Sequence, residues 1–81
     1  MNIRQWILSK IPDIEASTLH VLAKQLEKVG VNTYGDLVEC IREEVVDVAD
    51  IKGYLDTAGI TRIKAVKLLT DVKVIVASKP A

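Results

Sequence analysis

The residues able to do chemistry are few. His20 is the single histidine and Cys40 the single cysteine in 81 residues. An acid–base pair built on His20 would need a serine or cysteine nucleophile in a tight turn beside it, oriented by a third polar group. No such arrangement surrounds it, and it reads as a partly exposed helix histidine. Cys40 has only Arg42 as a nearby cation, so nothing in its neighbourhood favours a thiolate. Its place beside Leu37, Val38 and Ile41 suits a small hydrophobe. One thiol makes no intramolecular disulfide, and with one imidazole a four-ligand metal cage would be mostly carboxylate. Gly53 and Gly59 fit helix packing and capping, and no glycine-rich loop is present to cradle a phosphate. The expectation is a chain with no catalytic residue, no metal site and no cofactor.

The charges carry more information than the nucleophiles. Eleven basic residues balance eleven acidic ones, so net charge favours neither a nucleic-acid binder nor a membrane-surface binder. Their order along the chain is uneven. Residues 30–59 hold two basic and seven acidic side chains, net −5, whereas residues 60–81 hold five basic and one acidic, net +4. The acidic set is Asp36, Glu39, Glu43, Glu44, Asp47, Asp50 and Asp56; the late basic set is Arg62, Lys64, Lys67, Lys73 and Lys79.

Elements must exist to position these charges, and composition supplies them. Hydrophobic residues make up 49% of the chain, enough for a core, and with no Phe, one Trp and two Tyr that core is aliphatic. The length fits one domain near the lower limit for a single hydrophobic core. Apolar runs fall far short of the roughly 20 residues that span a bilayer, and the N-terminus lacks the pattern of a secretory signal. An intracellular, cytoplasmic setting without membrane insertion is expected.

Spacing divides the chain into five helices. Ile3, Trp6 and Ile7 mark a first helix that stops before Ile11-Pro12, because proline disfavours helical geometry in the residue before it. Trp6 is expected to anchor the core or its edge. Asp13 is the expected N-cap of a second helix carrying Leu19, Leu22, Leu26 and Val29 on one face, closed by Gly30. Thr33 and Asp36 have the spacing of a capping box ahead of Tyr34, Leu37, Val38 and Ile41, and Glu43-Glu44 closes that helix. Asp47 caps a fourth helix with Val48, Ile51, Leu55 and Ala58, ended by Gly59. Thr61 caps a fifth, from about Arg62 toward Ala77, with apolar rows Ile63-Val66-Leu69 and Ala65-Leu68-Val72-Ile75. Residues 72–76 are β-branched and alternate as a strand would, yet no partner strand exists, so they read as helix. Residues 78–81 are expected to be a frayed tail.

Particular stretches resemble a known family. Val29-Gly30-Val31-Asn32-Thr33-Tyr34-Gly35-Asp36-Leu37-Val38 is similar to the helix end, glycine turn and tyrosine of sterile alpha motif domains. Asp50-Ile51-Lys52-Gly53-Tyr54-Leu55 with Ala58-Gly59-Ile60, then Arg62-Ile63-Lys64-Ala65-Val66-Lys67-Leu68-Leu69, resemble the family's later segments, and Trp6 falls near its N-terminal tryptophan. The resemblance covers residues 3–76, with Thr61-Arg62-Ile63 replacing the Gly-His-Arg that often opens the last helix, which marks a divergent member. It implies an all-α, compact five-helix bundle with a long C-terminal helix, forming a single domain over residues 1–81.

The resemblance also implies a protein–protein interaction module. In the family, a basic surface at the start of the last helix docks on an acidic mid-domain surface of another copy. Those surfaces map here onto Arg62, Lys64 and Lys67, and onto Glu43, Glu44, Asp47 and Asp50. The implied partners are a second copy, giving a homo-oligomer, or a different domain of the same type; ordinary solvated faces are the plain alternative. Some members bind RNA hairpins through the basic surface, which is the second reading, opposed by the acidic middle. Ile11-Pro12-Asp13-Ile14 and Gly30–Leu37 also look like parts of a helix-hairpin-helix DNA-binding unit. That motif needs close phosphate approach, which Asp13 and Glu15 oppose, so nucleic acid is not the expected partner.

Overall fold

The computed structural model describes residues 1–78, which form five α-helices and no strand. The helices are α1 Ile3–Lys10, α2 Ala16–Lys28, α3 Tyr34–Arg42, α4 Val48–Thr57 and α5 Val66–Ala77. The expected helical bundle is therefore present, and residues 72–76 are helix. Ser78 closes α5, its hydroxyl donating to the Ile75 carbonyl at 2.9 Å. The rest of the expected frayed tail, residues 79–81, lies outside the described residues.

Local chemistry starts three of the helices. Asn2, Thr33 and Asp47 each accept from the backbone N–H three residues on, and Gln5, Asp36 and Asp50 return the bond to the cap's own N–H. Each such box satisfies two N–H groups that have no partner inside the helix. The first two boxes lie side by side: Ile3 N–H donates to the Asn32 carbonyl and Tyr34 N–H to the Met1 carbonyl, both at 3.0 Å. This bridge ties the N-terminus to the α2–α3 turn.

Three helices end in the same hydrogen-bonded turn. After α2, Val31 N–H reaches back to the Leu26 carbonyl and Gly30 N–H to Glu27. After α4, Ile60 bonds Leu55 and Gly59 bonds Asp56; after α3, Val45 bonds Cys40 and Glu44 bonds Ile41. Such a turn needs one residue with positive φ. Gly30 at 92° and Gly59 at 75° supply it, as the sequence suggested, but in the third turn the residue is Glu44 at 62°.

Two starts differ from expectation. Asp13 does not cap α2; the N-cap is Glu15, with no side-chain bond. Pro12 and Asp13 instead occupy the middle of a turn closed by Ile14 N–H on the Ile11 carbonyl at 3.1 Å, which lets Ile11 and Ile14 both turn inward. The last helix begins at Val66 rather than Arg62, so at 12 residues it is one shorter than α2. Thr61 caps the separate turn of residues 62–65, its hydroxyl accepting from Lys64 N–H at 3.4 Å. That turn keeps Ile60 and Ala65 buried and turns residues 62–64 outward.

The core is one aliphatic cluster drawn from every helix and from the turns, with Val31, Val46 and Ile60 buried between helices. Leu22 and Leu26 of the expected α2 face are buried, while Leu19 and Val29 pack at its margin. On α5 the row Ala65-Leu68-Val72-Ile75 faces inward as expected. The other row does not: Leu69 is buried, but Ile63 is 86% and Val66 55% exposed. Four helices can cover only part of a fifth, and the uncovered side of α5 carries Val66 and Val74 beside Lys67, Thr70 and Lys73.

Candidate interaction surfaces

No polar or charged residue among the described residues is buried. Among the described residues no group of three or more His, Cys, Asp or Glu is placed to hold a metal ion. His20 is exposed, its Nδ1 3.4 Å from an Arg4 guanidinium nitrogen, with no nucleophile beside it. Burial first, then Asp36, Glu43 and Glu39, push the Cys40 thiol above its ordinary value, the opposite of activation. No helix among the described residues is long and apolar enough to cross a membrane.

What the bundle does present is a divided surface. Glu43, Glu44, Asp47 and Asp50 are all exposed and all lie between the end of α3 and the first turn of α4. Asp47 and Asp50 also form the α4 capping box, through bonds of 2.8 and 3.1 Å, so their positions are fixed by the backbone they cap. An ionised carboxylate has more acceptor sites than one bond uses, and both stay open to solvent. They make themselves felt at Tyr54, whose hydroxyl is pushed up by burial first and then by Asp50 and Asp47. Glu44 and Asp47 share a hollow with Ile41, Val46 and Val76, which places the acidic surface against the final turns of α5.

The basic residues Arg62, Lys64 and Lys67 are exposed at the other end of α5. Lys64 sits outside the helix, in the turn before it, with its ammonium 3.9 Å from Asp13. Both partners are largely exposed, so the pair is screened and worth little. Lys64 lines a hollow with Asp13, Glu15 and Gly59, while Lys67 lines a different one with Ser9, Lys10, Thr70 and Asp71. The two lysines therefore border different hollows.

Nine residues of helix separate Lys67 from Val76, or about 14 Å at 1.5 Å per residue. That exceeds the screening length of about 8 Å at physiological salt. Lys67 is therefore screened from the acidic residues that border Val76.

The residue that sequence reasoning passed over is Asp71. Trp6 is buried, and its indole Nε1–H donates to Asp71 Oδ2 at 2.8 Å. The Lys10 ammonium lies 4.0 Å from the same oxygen, and the Trp6 and Tyr34 rings are 5.8 Å apart. Tyr34 is pushed above its ordinary value by burial first, then by the Asp71 charge and a hydrogen bond to it. Asp71 thus joins α1, α3 and α5, and it fixes Lys10 beside the exposed stripe of α5. The signal available in the sequence was a lone acid in a basic, apolar helix.

No protein-family model, curated protein or solved structure matches the chain.

Proposed function

We propose that this chain is a protein–protein interaction module of the sterile alpha motif type, joining head to tail with a second copy or with another domain of that type. The acidic surface Glu43, Glu44, Asp47 and Asp50 meets the basic surface Arg62, Lys64 and Lys67 of the neighbour. One observation carries the reading: two patches of opposite sign sit at opposite ends of α5, exposed and too far apart to satisfy each other. Two different surfaces that pair make a heterologous contact, which repeats into a ring or an open filament. Complementary charge chiefly speeds encounter and selects the partner, so a single contact is weak and salt-sensitive.

Sedimentation velocity over a concentration series tests this. Species larger than a monomer are expected to grow with concentration at low salt and to shrink as salt rises. Lys67→Glu or Glu43→Lys alone is expected to weaken them, and mixing the two variants to restore a complex, with helical circular dichroism unchanged. A wild-type chain that stays monomeric at every concentration and salt refutes self-association. Salt-sensitive binding of an RNA hairpin by such a monomer would favour the second reading, in which Arg62, Lys64 and Lys67 contact phosphate.

A further inference from the structure

The three turns that end α2, α3 and α4 share one hydrogen-bond pattern, yet one differs in what it does with its apolar residue. In this turn the residue after the left-handed position ordinarily packs back on the helix it closes. Val31 and Ile60 do so, each buried against the core beside Leu26 and Leu55. Val45 occupies the same place after α3 and is 56% exposed. The left-handed position before it is held by Glu44, an L-residue that adopts φ 62° at some cost, where glycine would close the turn more easily. Val45 is therefore an apolar side chain displayed in a stretch of chain that also exposes Glu43, Glu44 and Asp47. Val76, 40% exposed, lines the adjoining hollow with Glu44 and Asp47.

A second exposed apolar feature has the complementary rim. Val66 and Val74, 55% and 59% exposed, lie on the outward stripe of α5 with Thr70 between them. They line a groove whose other wall is Ser9 and Lys10 of α1, with Lys67 and Asp71 at its edge. Asp71 is engaged with Trp6 and Lys10, which leaves the Lys67 ammonium as a charge facing solvent. Val74 and Val76 are two residues apart on one helix, about 200° around its axis. The acid-rimmed and base-rimmed apolar patches therefore face different directions, and one copy has room for a neighbour on each.

We propose that Val45 of one copy seats in the α1–α5 groove of the next, between Val66 and Val74, with the carboxylates around it meeting Lys10 and Lys67. The proposal rests on the self-association reading and deepens it: the charges select the partner, and a valine in an apolar groove supplies the hold. The site reached runs along α5 from Val66 to Val74, so Arg62 and Lys64, in the turn before the helix, lie at the periphery of the contact.

The test uses Val45→Asp and Val74→Asp, both at exposed positions and checked for unchanged helical circular dichroism. Removing one valine's burial and placing a charge there is expected to weaken association roughly ten- to a hundredfold. Each variant alone is expected to be monomeric. Their mixture is expected to give a one-to-one complex and nothing larger, because it contains one intact Val45 and one intact groove. Wild-type association is also expected to persist in part at about 1 M salt, where the screening length is about 3 Å. Unchanged assembly by both valine variants, with loss on Lys67→Glu, would overturn this contact and leave head-to-tail association standing. Wild-type protein that is monomeric throughout would overturn both.

Discussion

Replacing Glu44 with glycine is expected to stabilise the fold and weaken assembly at the same time. The backbone at Glu44 is left-handed, φ 62°, which an L-residue adopts at a cost of about 1–2 kcal/mol because its Cβ crowds the following carbonyl. Glycine escapes that crowding but loses about 0.5–1 kcal/mol more in backbone entropy on folding. The difference favours Glu44→Gly by about 0.5–1 kcal/mol. For a domain of this size each kcal/mol moves the melting temperature by about 4–8 °C, so a rise of roughly 2–8 °C is expected. The measurement is thermal and urea unfolding followed by circular dichroism, with protein dilute enough that association does not add to stability. Gly30→Ala and Gly59→Ala are the controls. No heavy atom lies within 4 Å of a Cβ built at either glycine, so any loss there is conformational rather than steric. Both should lower the melting temperature. A Glu44→Gly variant no more stable than Glu44→Ala, which loses the same carboxylate but keeps the Cβ, would refute the left-handed strain argument. The same variant in sedimentation should associate less, since it removes a carboxylate beside Val45.

Two further perturbations address the interior. Asp71→Ala removes the acceptor of the buried Trp6 Nε1–H and is expected to destabilise by about 1–3 kcal/mol in urea unfolding; a loss within error of zero would mean that the indole does not depend on that carboxylate. Alkaline pH is expected to weaken the fold, because Tyr34, Tyr54 and Cys40 all have raised folded-state pKa values. A raised acid holds its proton more tightly when folded, so its contribution is complete below the unfolded pKa and is lost as pH rises through the folded one. Stability measured against pH should fall from about pH 9 upward, where the thiol and then the phenols of the unfolded chain ionise, and Tyr34→Phe should flatten that fall. A profile that rises across this range would contradict the burial of these groups. A thiol reagent should likewise modify Cys40 more slowly in the folded chain than in denaturant.

Features written in a few neighbouring residues were legible. The boxes of Thr33 with Asp36 and Asp47 with Asp50, the stops at Gly30 and Gly59, and the break before Pro12 depend on backbone groups within four residues. Asn2 with Gln5 follows the same spacing and was readable in principle. Features set by distant packing were not. Trp6 and Asp71 are 65 residues apart, and nothing in either segment announces the other. Asp13 has the chemistry of a cap, yet the turn that returns Ile14 to the core uses it first. Ile63 and Val66 have helical spacing, but Ile63 falls in the turn before α5, and the packing of α1, α3 and α4 on α5 leaves both side chains more than half exposed. Left-handed backbone at a glutamate is the hardest to foresee, because the residue type argues against the conformation.

That last feature bears on what the acidic surface is for. Asp47 and Asp50 need no partner to explain them: helix α4 requires a cap, and carboxylates at a helix N-terminus satisfy both its free N–H groups and its dipole. Their clustering follows from folding alone. Glu43 and Glu44 do not cap a helix N-terminus. They stand at the C-terminus of α3, where the dipole disfavours negative charge by about 0.3–1 kcal/mol, and Glu44 bears the left-handed backbone besides. The dipole disfavours both residues, and Val45 beside them leaves much of its apolar surface in water. Val45 and Glu43 are thus the residues of this stretch whose placement α3 itself does least to reward. Glu43→Lys and Val45→Asp are therefore the informative variants for association, whereas Asp47→Ala would mix the loss of a surface charge with the loss of a cap.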